Sequence, residues 1–581
     1  MQEKNLHLKI IRCLEDIYPE IDCQLLARKC LDTMKLIGTE TGPVSHQNNW
    51  SEQDIALITY GDTIRNGTDS HLRTLYNFVN KRLKGIVSTI HILPFFPYSS
   101  DDGFSVMDYT MVNPSIGSWS DINAIAIDFT VMSDLVINHC SSRSRWFENY
   151  KSGLDPGGDY FLEQDPDEDL TLVIRPRTSP LLKKVRTTWG EKYVWCTFGH
   201  DQVDLNFSNP AVLLEFIAII RIYLDQGIRW FRLDAVGFLW KEVGTSCINL
   251  PQTHEIIQLL RLLIEHREPK AVIITETNIP NIENLSYFGN GNEAHLIYNF
   301  SLPPLLLFAL TSGDCSHLQR WLMSMPPAQD GTTYLNFLAS HDGIGLRPAE
   351  GLLDEHELSL LVTTMENFGG KVSLRTTAEG SVRPYEINIS LWDAMSGTLG
   401  NDADDLQFER FMCGLAITIA LEGVPALYIH TLLATKNDAD KVEHTGNFRS
   451  INRHIWDEDE LVAKLSTGTH HQRVFEAATK LLAMRRKQKS FHPNATMFTL
   501  QMGPKLFSFW RQSIDRAESI FAIHNVSNQI QTFNLSELNL VLTDQWKDLV
   551  SGQSFDHNLS DVVLRPYQYL WLSNCRLPTP E

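Results

Sequence analysis

The sequence predicts an α/β protein built on a (β/α)8 TIM barrel, and three observations carry that prediction. Eight short apolar, β-rich runs recur between residues 55 and 429, and most of the intervals between them can hold an amphipathic helix. Several runs end in charged or imidazole side chains, as in Gly227-Ile-Arg-Trp-Phe-Arg-Leu-Asp234, Ala271-Val-Ile-Ile-Thr-Glu276 and Tyr334-Leu-Asn-Phe-Leu-Ala-Ser-His-Asp342. Barrel enzymes carry their chemistry at that C-terminal end of the strands. After about residue 490 the helical periodicity stops and the chain reads as strands alone.

The elements follow in order. Residues 1–50 read as a helical extension and linker: Leu6, Ile10, Leu14 and Ile17, then Leu25, Leu26, Leu31 and Met34, fall at helical spacing, with Pro19 as a break and a polar linker from Gly42 to Ser51. The catalytic region is expected at 51–490. Its strands are Ile55–Thr59, Val87–Leu93, Val131–Ile137, Ile228–Leu233, Val272–Thr275, Leu296–Phe300, Tyr334–Leu338 and Ala426–Ile429, with helices such as Pro210–Asp225 and His254–Arg267 between them. Two intervals, 140–206 after the third strand and 343–410 after the seventh, are too long for one helix and should build the rim of a site. Residues 491–581 should form an antiparallel β-domain with strands at Met497–Leu500, Leu506–Trp510, Ile520–Val526 and Val562–Leu572.

Composition narrows the partners. A net charge of −20 argues against nucleic acid or an anionic membrane surface. The start carries charge where a signal peptide would be apolar, and no apolar run reaches the roughly 18 residues of a membrane-spanning helix. Nine dispersed cysteines without CxxC spacing read as reduced thiols of a cytoplasmic protein.

An isolated carboxylate is costly at the end of a buried strand. Three strands bringing Asp234, Glu276 and Asp342 to one end of a sheet therefore point to glycoside cleavage or glycosyl transfer. Arg232, two residues before Asp234, faces the same side of its strand and can keep that acid ionised. The third strand adds Asp134, a bracing residue by this reading, followed by Asn138 and His139.

These four segments, in this order, resemble the four signature regions of the α-amylase superfamily, glycoside hydrolase family thirteen. The resemblance implies that Asp234 is a nucleophile forming a covalent glucosyl-enzyme and Glu276 the general acid and then base. It implies that Asp342 holds sugar hydroxyls and that His139 and His341 bond the reacting glucose. Finer motifs are similar to the sucrose phosphorylase subfamily: Pro94-Phe-Phe-Pro-Tyr-Ser-Ser-Asp101-Asp-Gly-Phe104, Leu233-Asp-Ala-Val-Gly-Phe-Leu-Trp-Lys241, Asn299-Phe-Ser-Leu-Pro-Pro and Ser340-His-Asp-Gly-Ile-Gly345. By that match Asp101 grips glucose hydroxyls, Phe104 is an aromatic platform and Arg449 a second sugar anchor.

A phosphorylase needs cations above its nucleophile. Residues 171–190 hold five basic residues and no acid, with Arg177 the first choice for phosphate and Arg175 beside it. The second insertion, with Lys371, Arg375 and Arg383, resembles glucosylglycerate phosphorylases, which form glucose 1-phosphate and glycerate from 2-O-α-D-glucosyl-D-glycerate. An anionic acceptor calls for one more cation than fructose does, and these three can supply it. Sucrose, sucrose 6-phosphate and glucosylglycerol phosphorylases, a plain α-glucosidase and an inactive sugar-binding protein remain as alternatives. The expected partners are a small sugar substrate and inorganic phosphate. No organic cofactor or metal is expected, although Asn138 resembles a calcium ligand of amylases. A homodimer is compatible with the sequence.

Overall fold

The computed structural model describes residues 2–37, 43, 46–376, 381–538, 546–555 and 561–573; Gly42, Val44 and Ser45 of the expected linker lie outside them, as does Cys575. All eight expected barrel strands form: β1 (Ala56–Thr59), β2 (Thr89–Ile92), β3 (Thr130–Val136), β4 (Ile228–Asp234), β5 (Val272–Thr275), β6 (Leu296–Tyr298), β7 (Thr333–Asn336) and β8 (Val424–Tyr428). They close in the order β1-β8-β7-β6-β5-β4-β3-β2, every neighbouring pair parallel. Buried on both faces, such strands are near-continuous apolar runs, which is why they were legible.

β7 stops two residues earlier than expected. Asn336 ties it to both neighbours, donating to the Glu422 carbonyl at 2.7 Å and accepting from Asn299 at 3.0 Å. Phe337 to Asp342 then leave the sheet, so His341 and Asp342 ride on a loop rather than on the strand itself.

The expected N-terminal helices are α1 (Gln2–Ile17) and α2 (Cys23–Thr33). They pack on two barrel helices, α2 against α3 (Pro210–Asp225) and α1 against α4 (Pro251–Arg267). Leu6, Ile10, Leu14 and Ile17 are buried in that seam. Leu25 is not on it: it is 53% exposed, because Leu26, Ala27, Cys30 and Leu31 form the inward face.

The first insertion contains a helix (Arg145–Ser152), a hairpin (182–195) and a strand (Gln202–Asp204) that pairs with His139–Ser141. The second holds a helix (Glu355–Asn367) and the hairpin of Lys371–Thr376 with Val382–Asn388. After the barrel, a six-stranded antiparallel sheet begins at Thr496. Its faces alternate with period two: Ile520 and Ala522 join the barrel core, whereas Phe521 and Ile523 belong to a separate cluster. The run expected as one strand from Val562 to Leu572 is two, Asp561–Leu564 and Tyr569–Ser573, parted by Tyr567 at φ +53°. Among the described residues no helix is long and apolar enough to cross a membrane.

Arg511 of this sheet is fully buried and caps barrel carbonyls, donating to Ala420 at 2.8 Å and His492 at 2.7 Å. Replacing it with Met leaves those carbonyls unpaired, each at about 1–3 kcal/mol. R511M should therefore lower the thermal midpoint by several degrees while leaving KM unchanged below the transition, as calorimetry and initial rates would check.

Candidate active site

The register of the barrel builds the centre of the site. Asp134 on β3 lies level with Arg232 on β4, and Thr275 on β5 lies level with Leu233. Arg232 is consequently wedged between carboxylates, 2.5 Å from Asp134 and 2.6 Å from Asp234, with Glu276 at 3.9 Å. Burial alone would raise Asp134, but His91, bonded to it at 2.7 Å, and Arg232 hold it below the usual carboxylate range. Asp134 thus braces the guanidinium from beneath.

Asp234 and Glu276 are both held above the usual carboxylate range. Burial raises both, each is raised further by a neighbouring carboxylate, and Arg232 opposes the rise in both. The guanidinium bonds Asp234 directly and stands off Glu276, so its stabilisation of negative charge falls mainly on Asp234. Glu276 also accepts from the Ala235 amide at 3.0 Å. Ala235 is held at φ +50°, a turn that costs an alanine roughly 1 kcal/mol and aims its amide across the pair.

Asp342 behaves differently. Burial would raise it, yet Arg449 at 2.5 Å and Arg453 at 3.7 Å hold it low. Arg449 is shared with Glu386, which grips it through both oxygens at 3.0 and 2.7 Å and accepts from the Gly343 amide. A Cβ at Gly343 would lie 2.5 Å from the Glu386 side chain, so a glycine is required there.

Asp101, Phe104, His139, Arg177, Arg232, Asp234, Glu276, His341, Asp342 and Arg449 all line one cavity of about 780 Å³. Phe104 stacks on His341 with centroids 5.1 Å apart, and its ring receives the Arg232 guanidinium at 5.7 Å. Burial depresses His139 and His341, leaving both imidazoles neutral near pH 7. Arg177 lies 5.6 Å over the Tyr385 ring and has no carboxylate within ion-pair distance among the described residues.

Four sequence-chosen cations do not reach this cavity. Arg175, half-buried, points elsewhere. Lys371 is exposed on the hairpin. Arg375 and Arg383 are cross-strand partners that pair outward with Glu350 at 2.6 Å and Glu355 at 3.2 Å. The hairpin instead presents Tyr385 and Glu386 to the cavity. A bulge at Tyr385 breaks the alternation of the strand, and acids outside the hairpin claim its arginines; neither is visible in a run of basic letters.

Other contributors carry weak sequence signals. Asp201 accepts hydrogen bonds from Ser99, Ser100 and Ser142 at 2.5–2.6 Å and from Ser105 at 3.2 Å. That cluster pins the loop in which Asp101 and Asp102 sit at φ +53° and +46°. Arg453 ties Asp102 at 2.6 Å, and the sequence hinted at it only through the motif around Arg449. Beneath His139, the buried Lys241 ammonium bonds Asn138 at 2.7 Å and Asp204 at 2.8 Å. It fills the space between the two groups that could otherwise face a cation.

Comparison with known proteins places the chain that carries this cavity. The α-amylase catalytic-domain profile matches residues 81–344. A glucosylglycerate phosphorylase of Allomeiothermus silvanus is 41% identical over 528 residues, covering 90% of this chain and 92% of the relative. The chain belongs to the glucosylglycerate phosphorylase family. A sucrose phosphorylase of Agrobacterium vitis is more distant from this family member, at 29% identity over 81% of the chain and 95% of its own length. Among solved structures, the sucrose 6F-phosphate phosphorylase of Thermoanaerobacter thermosaccharolyticum shares the fold, with a TM-score of 0.71 at 24% identity over 82% of this chain and 94% of that one.

In this family member, K241M should cost about 3–5 kcal/mol by stranding the buried Asp204 carboxylate, seen as a lower denaturation midpoint. A chelator should leave wild-type activity unchanged, since an ammonium already occupies that position.

Proposed function

We propose that this chain is a retaining α-glucosyl phosphorylase converting 2-O-α-D-glucosyl-D-glycerate and phosphate to glucose 1-phosphate and D-glycerate. The observation that carries the reading is the guanidinium of Arg177, which among the described residues has no carboxylate within ion-pair distance, in the cavity that holds the three acids. An anion that replaces water as nucleophile needs such a group to bind it beside the acids.

The reaction then runs in two displacements. Glu276 gives its proton to the glycosidic oxygen as an Asp234 carboxylate oxygen attacks the anomeric carbon; the C–O bond to the acceptor breaks and glycerate leaves. The developing oxocarbenium charge faces Phe104 and the ionised Asp342. Phosphate, oriented by Arg177, attacks the same carbon while the Glu276 carboxylate takes its proton, and Asp234 departs with retention. Asp101, His139, His341 and Arg449 would hold the glucose. We assign residues 51–490 as the catalytic unit, with the helical extension before it and the β-domain after it. The eight described cysteines are free thiols, seven of them buried, which fits a reducing cytoplasm.

Three results test the proposal. Given glucose 1-phosphate with D-glycerate, fructose, fructose 6-phosphate or glycerol, the enzyme should release phosphate fastest with glycerate. D234A and E276Q should each lower turnover by several orders of magnitude. Because burial raises Glu276 and its acid form is required first, kcat/KM should hold through the carboxylate range and fall as pH rises through that raised pKa. E276Q should lack this limb and regain its first step with α-glucosyl fluoride, whose leaving group needs no proton.

A further inference from the structure

A second, open cavity of about 390 Å³ adjoins the first at Glu276. It shares Glu276, Asn278 and Tyr385 with the glucose-side cavity. Its other walls are largely apolar, including Phe238, Ile248 and Ile279, and one cation lines it: Arg347, half-buried in the short turn Arg347–Ala349.

Arg347 has no carboxylate within ion-pair distance among the described residues. Of the acids that follow it in sequence, Glu350 is held by Arg375, Glu355 by Arg383, and Asp354 caps the next helix. The outward pairing of the hairpin cations thus leaves this guanidinium unneutralised. Asn278 adds a second vacancy of bonding: its Oδ1 is buried and has no hydrogen-bond partner. Gly345 gives it room, since a Cβ there would lie 2.8 Å from the Asn278 amide. An unsatisfied buried acceptor calls for a donor from a ligand.

We propose that Arg347 reads the carboxylate of the acceptor and Asn278 its free hydroxyl, with Glu276 addressing the oxygen that joins the sugar. The assignment rests on the phosphorylase reading above. It calls for a short acceptor bearing an anion, a bridging oxygen and a hydroxyl, which glycerate is. Arg177, in the glucose-side cavity, is left for phosphate. A planar guanidinium suits a carboxylate, and a site built around a charge rejects the uncharged analogue.

The test compares D-glycerate with its uncharged amide as acceptors for glucose 1-phosphate, in wild type, R347Q and R347K. Wild type should prefer glycerate by roughly ten- to a hundred-fold in kcat/KM. R347Q should lose that preference through KM for glycerate, and R347K should recover part of it. Arsenolysis of glucose 1-phosphate, which involves no acceptor, should stay near the wild-type rate in both variants and so report an intact site. Equal use of glycerate and its amide by the wild type would overturn the assignment without any variant. Undiminished preference in R347Q, or loss of arsenolysis in both variants, would overturn it as well. A wild type that accepts fructose or glycerol but not glycerate would overturn the acceptor reading itself, and this assignment with it.

Discussion

The buried guanidinium of Arg232 is the constraint on which the site depends. A charge removed from water is tolerated only when its partners are close and well aligned. Here the parallel register supplies them, setting Asp134 beside Arg232 across one strand pair and Asp234 two residues further along the same strand. The rings of Phe104 and Tyr298 each lie within 6 Å of the guanidinium. Without Arg232, two buried carboxylates would face each other across the strand ends and would have to take up protons. With it, negative charge is favoured most on the carboxylate it bonds directly, Asp234.

The same device recurs on the other side of the pocket. Arg449 and Arg453 hold Asp342, Glu386 and Asp102, joining the loop after β7, the second insertion and the loop after β2. Asp201 with its four serines does the equivalent work for the loop that carries Asp101 and Phe104. The rim segments are thus fastened to one another by charge-assisted bonds, which keeps them in register with the acids.

The barrel was legible because its evidence is local. Each strand is a short apolar run, and the acids close those runs, so Asp234, Glu276 and Asp342 could be picked from the pattern and given roles by resemblance. The cations were not. Lys371, Arg375 and Arg383 sit in a suggestive stretch, but cross-strand pairing turns Arg375 and Arg383 together toward Glu350 and Glu355. Arg347, a single basic residue after Gly345, gave no signal, and its exposure to the second cavity follows from partners that are spent elsewhere.

What the sequence by itself determined is the eightfold alternation, the carriers of the three acids and the kinship of the chain, since all of these are written in short segments whose meaning does not depend on distant residues. What only the tertiary structure decided is the inventory of cations facing the cavity. Whether an arginine is available to a ligand depends on which carboxylates reach it first, and those lie on other loops, at distances fixed by how two long insertions fold over the barrel.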